Sequence, residues 1–258
     1  MQVKLSVVII TYNEEINIGR CLESVKEIAD EIVVLDSFSS DRTEEICRNY
    51  NAKFEQHAFD DFVQQKNRAV TLATFPHILS LDADEALSPE LFDSIKEIKN
   101  NFNSDGYYFN RLTNYCGKWI RHCGWYPDQK LRIWDSQKGK WSGVQIHEKV
   151  EMEPGASIQF IKGDLLHYSY YSISQHIKQV NYFTEIGADA AFQNGMKPSL
   201  MIEILNPPWK FFRDYVIKLG FLDGWHGFVI CVISAHATFL KYVKLRQLHN
   251  KRIVNNEK

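Results

Sequence analysis

SVVIITYNEE, residues 6–15, is a β-branched apolar run that stops abruptly at polar and acidic residues. An unbroken apolar strand of this kind is what a parallel sheet covered on both faces requires. Working outward, residues 16–29 carry Ile18, Leu22, Val25 and Ile28 at helical spacing, and residues 31–35 repeat the strand texture. A helix over 41–50, a weaker strand over 52–56, a helix over 62–73 and a strand over 77–81 follow. Ser88 then stands as a cap ahead of Pro89, a favoured start for a further helix. Regular strand–helix alternation predicts an α/β fold, a mostly parallel sheet with flanking helices.

Past residue 103 the texture changes. Residues 106–170, rich in aromatics and glycines, predict mostly irregular structure with a few strands. Helical periodicity returns over 172–192. Asn206-Pro207-Pro208 predicts a break, and two helical pieces follow, parted near Asp223-Gly224. The expected organisation is a main domain over 1–200, in halves 1–103 and 104–200, and a helical amphipathic region over 201–258.

A chain of 258 residues, 45% of them hydrophobic, buries a substantial core. A net charge of -2 argues against nucleic-acid binding, which leaves a basic footprint. The total hides an asymmetry: from Trp209 onward nine basic residues face three acids, so the body is acidic and the tail basic. Cys21, Cys47, Cys116, Cys123 and Cys231 are scattered without a CxxC pair, which fits a reducing cytosol. Strand texture begins at residue 5, so no secretory leader is expected. The longest apolar stretch, 228–240, is interrupted by Ser234, His236 and Thr238. It is shorter than the roughly 20 residues that span a bilayer.

Parallel α/β sheets bind ligands at the carboxyl ends of their strands. Those ends read Thr11-Tyr12-Asn13-Glu14, Asp36-Ser37-Phe38-Ser39-Ser40-Asp41 and Asp82-Ala83-Asp84-Glu85. Two carboxylates at i, i+2 after a strand suit a hard divalent cation, Mg2+ or Mn2+, whose shell a diphosphate completes. The same acids also serve as turn formers. The first strand leads into no glycine-rich phosphate turn, which disfavours a dinucleotide oxidoreductase.

In this order and spacing, SVVIITYNEE, IVVLDSFSSDRT (32–43), QQKNRAV (64–70) and ILSLDADE (78–85) resemble the family 2 glycosyltransferases with the GT-A fold. The resemblance covers residues 4–100. It implies that Thr11, Asn13 and Glu14 line a uridine pocket and that Asp36 contacts base or ribose. It also implies that Asp82 faces ribose and metal, that Asp84 binds the metal, and that Lys66 lies near the nucleotide. Lys66 reads equally as a solvated helix residue. YCGKWIRHCGWYPDQKLRIW (115–134), GVQIHEKV (143–150), LLHYSYYS (165–172) and GFLDGWHGFVI (220–230) resemble a subgroup that builds the lipopolysaccharide inner core. That likeness implies transfer of glucose from UDP-glucose to a heptose.

Inverting transfer needs a stabiliser for the leaving diphosphate and a base for the acceptor hydroxyl. With the upstream acids assigned to donor and metal, Glu148 is the first candidate base, or else a salt-bridge partner. Asp128, after Pro127, is the second, or else a turn residue. His167, ending an apolar run, is a candidate third metal ligand or a core histidine. Arg132 offers a guanidinium fork to a diphosphate or an acceptor phosphate. Gln129…Arg132-Ile133-Trp134 only loosely echoes the QxxRW of processive relatives.

Cys116, His122, Cys123 and His147 match no standard zinc spacing. Among Trp119, Trp125, Tyr126, Trp134 and Trp141, one or two are expected to stack on sugar and the rest to be core. In the tail, Trp209, Phe211, Phe212, Tyr215 and Leu219 alternate with Lys210, Arg213 and Lys218. An aromatic side and a cationic side suit the anionic cytoplasmic face of an inner membrane, where a lipid-linked saccharide acceptor is met. Packing on the main domain is the alternative. Competing readings are a family 2 transferase for capsule, teichoic acid or glycoprotein glycan, and a silent nucleotide-sugar-binding scaffold, against which the intact acids stand.

Overall fold

The computed structural model describes residues 2–143 and 148–256, the side chains of 252–256 excepted. The chain forms two compact units, one of Met1–Leu112 and Pro127–Tyr168, the other of Thr113–Tyr126 and Ser169–Lys258.

In the first unit β1 (Leu5–Thr11), α1 (Ile18–Val25), β2 (Glu31–Asp36), α2 (Thr43–Asn49), β3 (Lys53–Gln56), α3 (Phe62–Thr71) and β4 (His77–Asp82) alternate as expected. β5 (Glu85–Leu87) and α4 (Pro89–Asn100) come next, then β6 (Gly106–Tyr115). After β7 (Lys118–Ile120), in the second unit, come β8 (Asp128–Asp135), β9 (Gly139–Ser142), β10 (Lys149–Met152) and β11 (Ile158–Tyr170). The sheet order is β3-β2-β1-β4-β8-β6-β11-β5. Its first four strands are parallel. From β8 onward the pairs β4–β8, β6–β8 and β5–β11 are antiparallel. β9 and β10 form a separate hairpin.

The apolar run of β1 feeds both faces. Val7 and Ile9 join Ile18, Cys21, Leu22 and Val25 of α1 in one core. Val8 joins Val33, Leu35, Ala69, Trp134 and Trp141 in the other. Ser88 caps α4 by accepting from Leu91 N–H, with Pro89 in the first turn.

Residues 106–170 are not mostly irregular; among the described residues they supply six strands. The expectation failed because their alternation is blurred. β6 buries residues on both faces and slips register between Tyr107 and Tyr108, so a period of two never emerges from its sequence.

The second unit holds α5 (Ile173–Gln193), α6 (Leu200–Phe212), a π turn over Arg213–Ile217, a short 3-10 helix over Gly220–Asp223 and α7 (Gly224–Asn256). Ser172 and Gln175 form a reciprocal capping box at the start of α5. Ala188 and Ala191 of α5 pack on Leu245 of α7, which groups α5 with the C-terminal helices. Glu203 pairs with Arg246 at 2.8 Å, Asn206 donates to the Tyr242 hydroxyl, and Phe211 meets Phe228. α6 and α7 are therefore an antiparallel hairpin.

The break expected at Asn206-Pro207-Pro208 does not occur: α6 runs through both prolines. Packing against α7 overrides the local penalty of the two missing N–H groups. The part of α7 thought too short to span a bilayer belongs to a longer apolar stretch. Over Gly220–Lys251 the helical chain is long and apolar enough to cross by length and composition, with a window of mean hydropathy 1.5. The polar interruptions count for little because Thr238 Oγ1 donates to Ser234 O, satisfying itself within the helix.

Gly163 in β11 is the tightest backbone approach in the first unit. Its φ is +97°, and a Cβ there would stand 2.2 Å from the Leu91 nitrogen of α4. Gly163→Ala is expected to destabilise the protein by about 3 kcal/mol or more, combining backbone strain with overpacking. Denaturant unfolding measures it; a loss below about 0.5 kcal/mol, the size of a neutral surface change, would show that β11 and α4 do not touch.

Candidate functional site

The register of the parallel strands levels the acidic tips. Thr11 lies opposite Asp36 across β1–β2, and Ile10 lies opposite Asp82 across β1–β4. The three tips end on one edge of the sheet, as ligand sites in parallel α/β proteins do.

Two left-handed residues, Asn13 at φ 53° and Phe38 at φ 62°, turn the loops that follow β1 and β2. The loops are laced together. Asn13 N–H donates to Ser39 Oγ at 2.7 Å, and Ser40 N–H donates to Asn13 Oδ1 at 2.8 Å. Asp36 is wholly buried and accepts from Ser39 N–H and Oγ–H and from Gln56 Nε2–H. Its carboxylate therefore shapes the loop from inside. Glu14 sits beside these turns, with Asn17 Nδ2–H donating to it at 2.7 Å. Burial pushes its carboxyl up to about 7, against the Asn17 hydrogen bond and with help from Asp84, Asp41 and Asp82.

Behind the edge lies a buried ionic cluster. Lys66 and Arg132 are only 1% and 3% exposed. Lys66 Nζ stands 2.8 Å from Asp82 Oδ1, and Arg132 Nη2 lies 3.2 Å from Asp82 Oδ2 and 2.9 Å from Glu85 Oε1. Asp82 N–H donates to Glu85 Oε2 at 2.9 Å. Burial alone would raise the Asp82 carboxyl, but Lys66, Arg132 and Arg111 overcome it and hold Asp82 far below the usual carboxylate range. The Trp141 ring lies 4.4 Å from Lys66 Nζ and 5.2 Å from the Arg132 guanidinium carbon. Asn67 clamps the Trp141 backbone at both N–H and C=O. Among the described residues, Nε and Nη1 of Arg132 and Nε1 of Trp141 are buried with no hydrogen-bond partner.

Asp84 pairs with His167 on its other side, Oδ2 to Nε2 at 3.1 Å. Tyr168 N–H donates to Asp84 O, and the Arg20 guanidinium stacks over the Tyr168 ring. Asp84 and His167 place a carboxylate and an imidazole side by side, donor types that would suit a divalent cation. Among the described residues no three His, Cys, Asp or Glu side chains gather around one point, so other ligands would come from diphosphate and water. Asp82, expected to face the metal as well, is instead covered by two cations.

The two candidate bases differ. Asp128 is gripped by Arg111 Nη2 at 2.8 Å and Lys130 Nζ at 2.9 Å, so both of its carboxylate oxygens are engaged. Glu148 stands 3.6 Å from Lys66 Nζ, a looser contact. It follows residues 144–147, which lie outside the described residues together with His147 of the zinc set. Of the other three, His122 pairs with Asp223 at 3.1 Å, and Cys116 and Cys123 are free thiols. Trp134 and Trp141 are core residues.

Sequence reasoning missed Glu85, Arg111 and Asn67, and named Trp141 only as a sugar-stacking or core ring. Glu85 and Asn67 lay inside quoted motifs. Arg111 could be found only through the β6–β8 register, which sets it opposite Asp128.

Residues 6–148 match the family described as Glycosyl transferase family 2. An uncharacterized glycosyltransferase of Rickettsia bellii is 33% identical over 95% of this chain and 87% of its own length. The lipopolysaccharide core biosynthesis glycosyltransferase LpsC of Rhizobium meliloti is 28% identical over 95% of this chain and 93% of its own. Among solved structures, TarS 1-349 of S. aureus overlaps with a TM-score of 0.47 at 14% identity, covering 96% of this chain and 91% of that one.

The raised Glu14 carboxyl sets a pH dependence. An ordinary glutamate releases its proton near 4.5, so the folded chain retains one between 4.5 and about 7. Glu14 thus contributes stability below that window and loses it as pH rises through it. Relative to Glu14→Gln, the wild-type melting temperature is expected to fall between pH 5 and pH 8. Parallel melting curves for the two proteins would show that Glu14 ionises as if in solvent.

Proposed function

We propose, from the premise that this chain belongs to glycosyltransferase family 2, that it moves glucose from UDP-glucose to a heptose of the lipopolysaccharide inner core. Transfer inverts the anomeric centre and depends on Mg2+ or Mn2+. The reaction takes place on the cytoplasmic face of the inner membrane, where a nucleotide sugar and a lipid-linked acceptor meet. The acceptor class is supported by the full-length relative named for lipopolysaccharide core biosynthesis. The observation that carries the donor reading is the level edge at Thr11, Asp36 and Asp82, with the Asp84–His167 pair beside it.

Each residue then has a task. Thr11 and Asn13 face the nucleoside, and Asp36 holds the loop that shapes its pocket. Asp84 and His167 would hold the cation, which would supply positive charge to offset that growing on the UDP diphosphate. Lys66 and Arg132 place two positive charges nearby, and the free Nε–H and Nη1–H of Arg132 are suited to phosphate or sugar oxygens. Asp82 keeps these cations oriented. Glu148 receives the proton of the attacking hydroxyl, because Asp128 is neutralised by Arg111 and Lys130.

The test is a UDP-release assay with extracted lipid acceptor, the product read by mass. Asp84→Ala or a chelator is expected to lower turnover at least about 100-fold, the scale of lost electrostatic stabilisation. Glu148→Gln is expected to lower kcat about 100-fold or more, typical of a missing general base, with the donor KM little changed. Asp128→Asn should cost far less. Full activity in chelator would remove the metal from the mechanism. Transfer only to capsule, teichoic acid or glycoprotein glycan would move the enzyme to another pathway, and no turnover with any donor would favour a binding protein.

A further inference from the structure

α6 is amphipathic the wrong way round for water. Its exposed stripe is Met201, Leu205, Trp209, Phe212 and, into the π turn, Val216. Its covered side carries the buried carboxylates Glu203 and Asp214, paired with Arg246 and with Lys210 and Arg213. A helix on a water-facing surface shows the opposite pattern. The hairpin tip continues the exposed stripe through Ile217, Leu219, Phe221, Leu222 and Trp225. In the apolar window of α7 only 17% of residues are buried. Contiguous exposed apolar area of this kind marks a binding surface.

The charges name the partner. Between residues 194 and 256 the acids are Glu203, Asp214 and Asp223, and all three are buried. Asp223 accepts from His122 N–H and faces its ring. Lys197, Lys218 and Lys251 are exposed, so the charge this segment presents is positive. A second copy of the same face would set base against base, whereas an anionic lipid surface meets both the apolar stripe and the lysines.

We infer that the α6–α7 hairpin of the second unit is a monotopic insert, lying in the interface of an anionic bilayer with its apolar stripe among the acyl chains. The stripe runs the length of α6, and Lys210 and Arg213 lie along the same helix, so the hairpin lies flat rather than crossing. An open groove of about 350 Å³ lined by Pro207, Phe211, Val232, His236 and Phe239 interrupts the face and can receive part of a chain. This turns the membrane location proposed above into a defined surface, and its test needs no catalysis.

The experiment is flotation of the full chain with phosphatidylcholine vesicles, with and without phosphatidylglycerol, followed by tryptophan emission. Binding to the anionic vesicles is expected to resist a high-salt wash and to shift emission to the blue. The double substitution Phe221→Glu, Trp225→Glu changes two exposed residues and is expected to lower vesicle partitioning roughly tenfold or more, since it sets charge among acyl chains. Ile158→Glu, an equally exposed change in the first unit, should leave it intact. Unchanged binding of a folded double variant, or complete release by salt, would overturn the insert. A soluble dimer that ignores vesicles would assign the face to a second copy instead.

Discussion

Two buried cations, Lys66 on α3 and Arg132 on β8, are held by the carboxylates of Asp82 and Glu85 at 2.8 to 3.2 Å. Removing charge from water is expensive, and a buried pair that loses one member costs about 3–5 kcal/mol. The cluster therefore ties together elements that the chain contributes far apart: α3, the end of β4, the start of β5 and the middle of β8. It also fixes Asp82 as a counter-ion, while Asp84, two residues on, pairs with His167 instead.

The second unit inverts that logic. In the first, apolar residues fill the inside and the charges gather at one edge. In the α6–α7 hairpin the ion pairs are inside and the apolar residues outside. Both arrangements follow from one rule, that a charge removed from water needs a partner.

The first half was legible because strands covered on both faces must be continuous apolar runs, and because the acids that end them fall on one edge once the strands are parallel. The second half was not. β6 and β8 carry Arg111, Asp128 and Arg132, but their faces are assigned only by a register that includes a bulge. Without that register Asp128 looked like an available base, whereas across the strands it answers Arg111. Lys66 was open between a solvated helix position and a site residue, since helical spacing alone does not say what covers α3. Glu85 sat unremarked one residue past Asp84 because three acids within four residues read as a single polar turn. In the tail, aromatic and cationic residues were expected on opposite sides of a helix. Lys210 and Arg213 fold onto Asp214 instead, and Pro207-Pro208 sits within a helix whose packing outweighs its local preference.

Calorimetric titration of UDP into the full chain, with Mn2+ present and then chelated, tests most directly whether the level strand tips form a site for a nucleoside diphosphate and its cation. Saturable binding with one UDP per chain in Mn2+, strongly weakened by chelation, is the expected result. A flat titration in both conditions would contradict it.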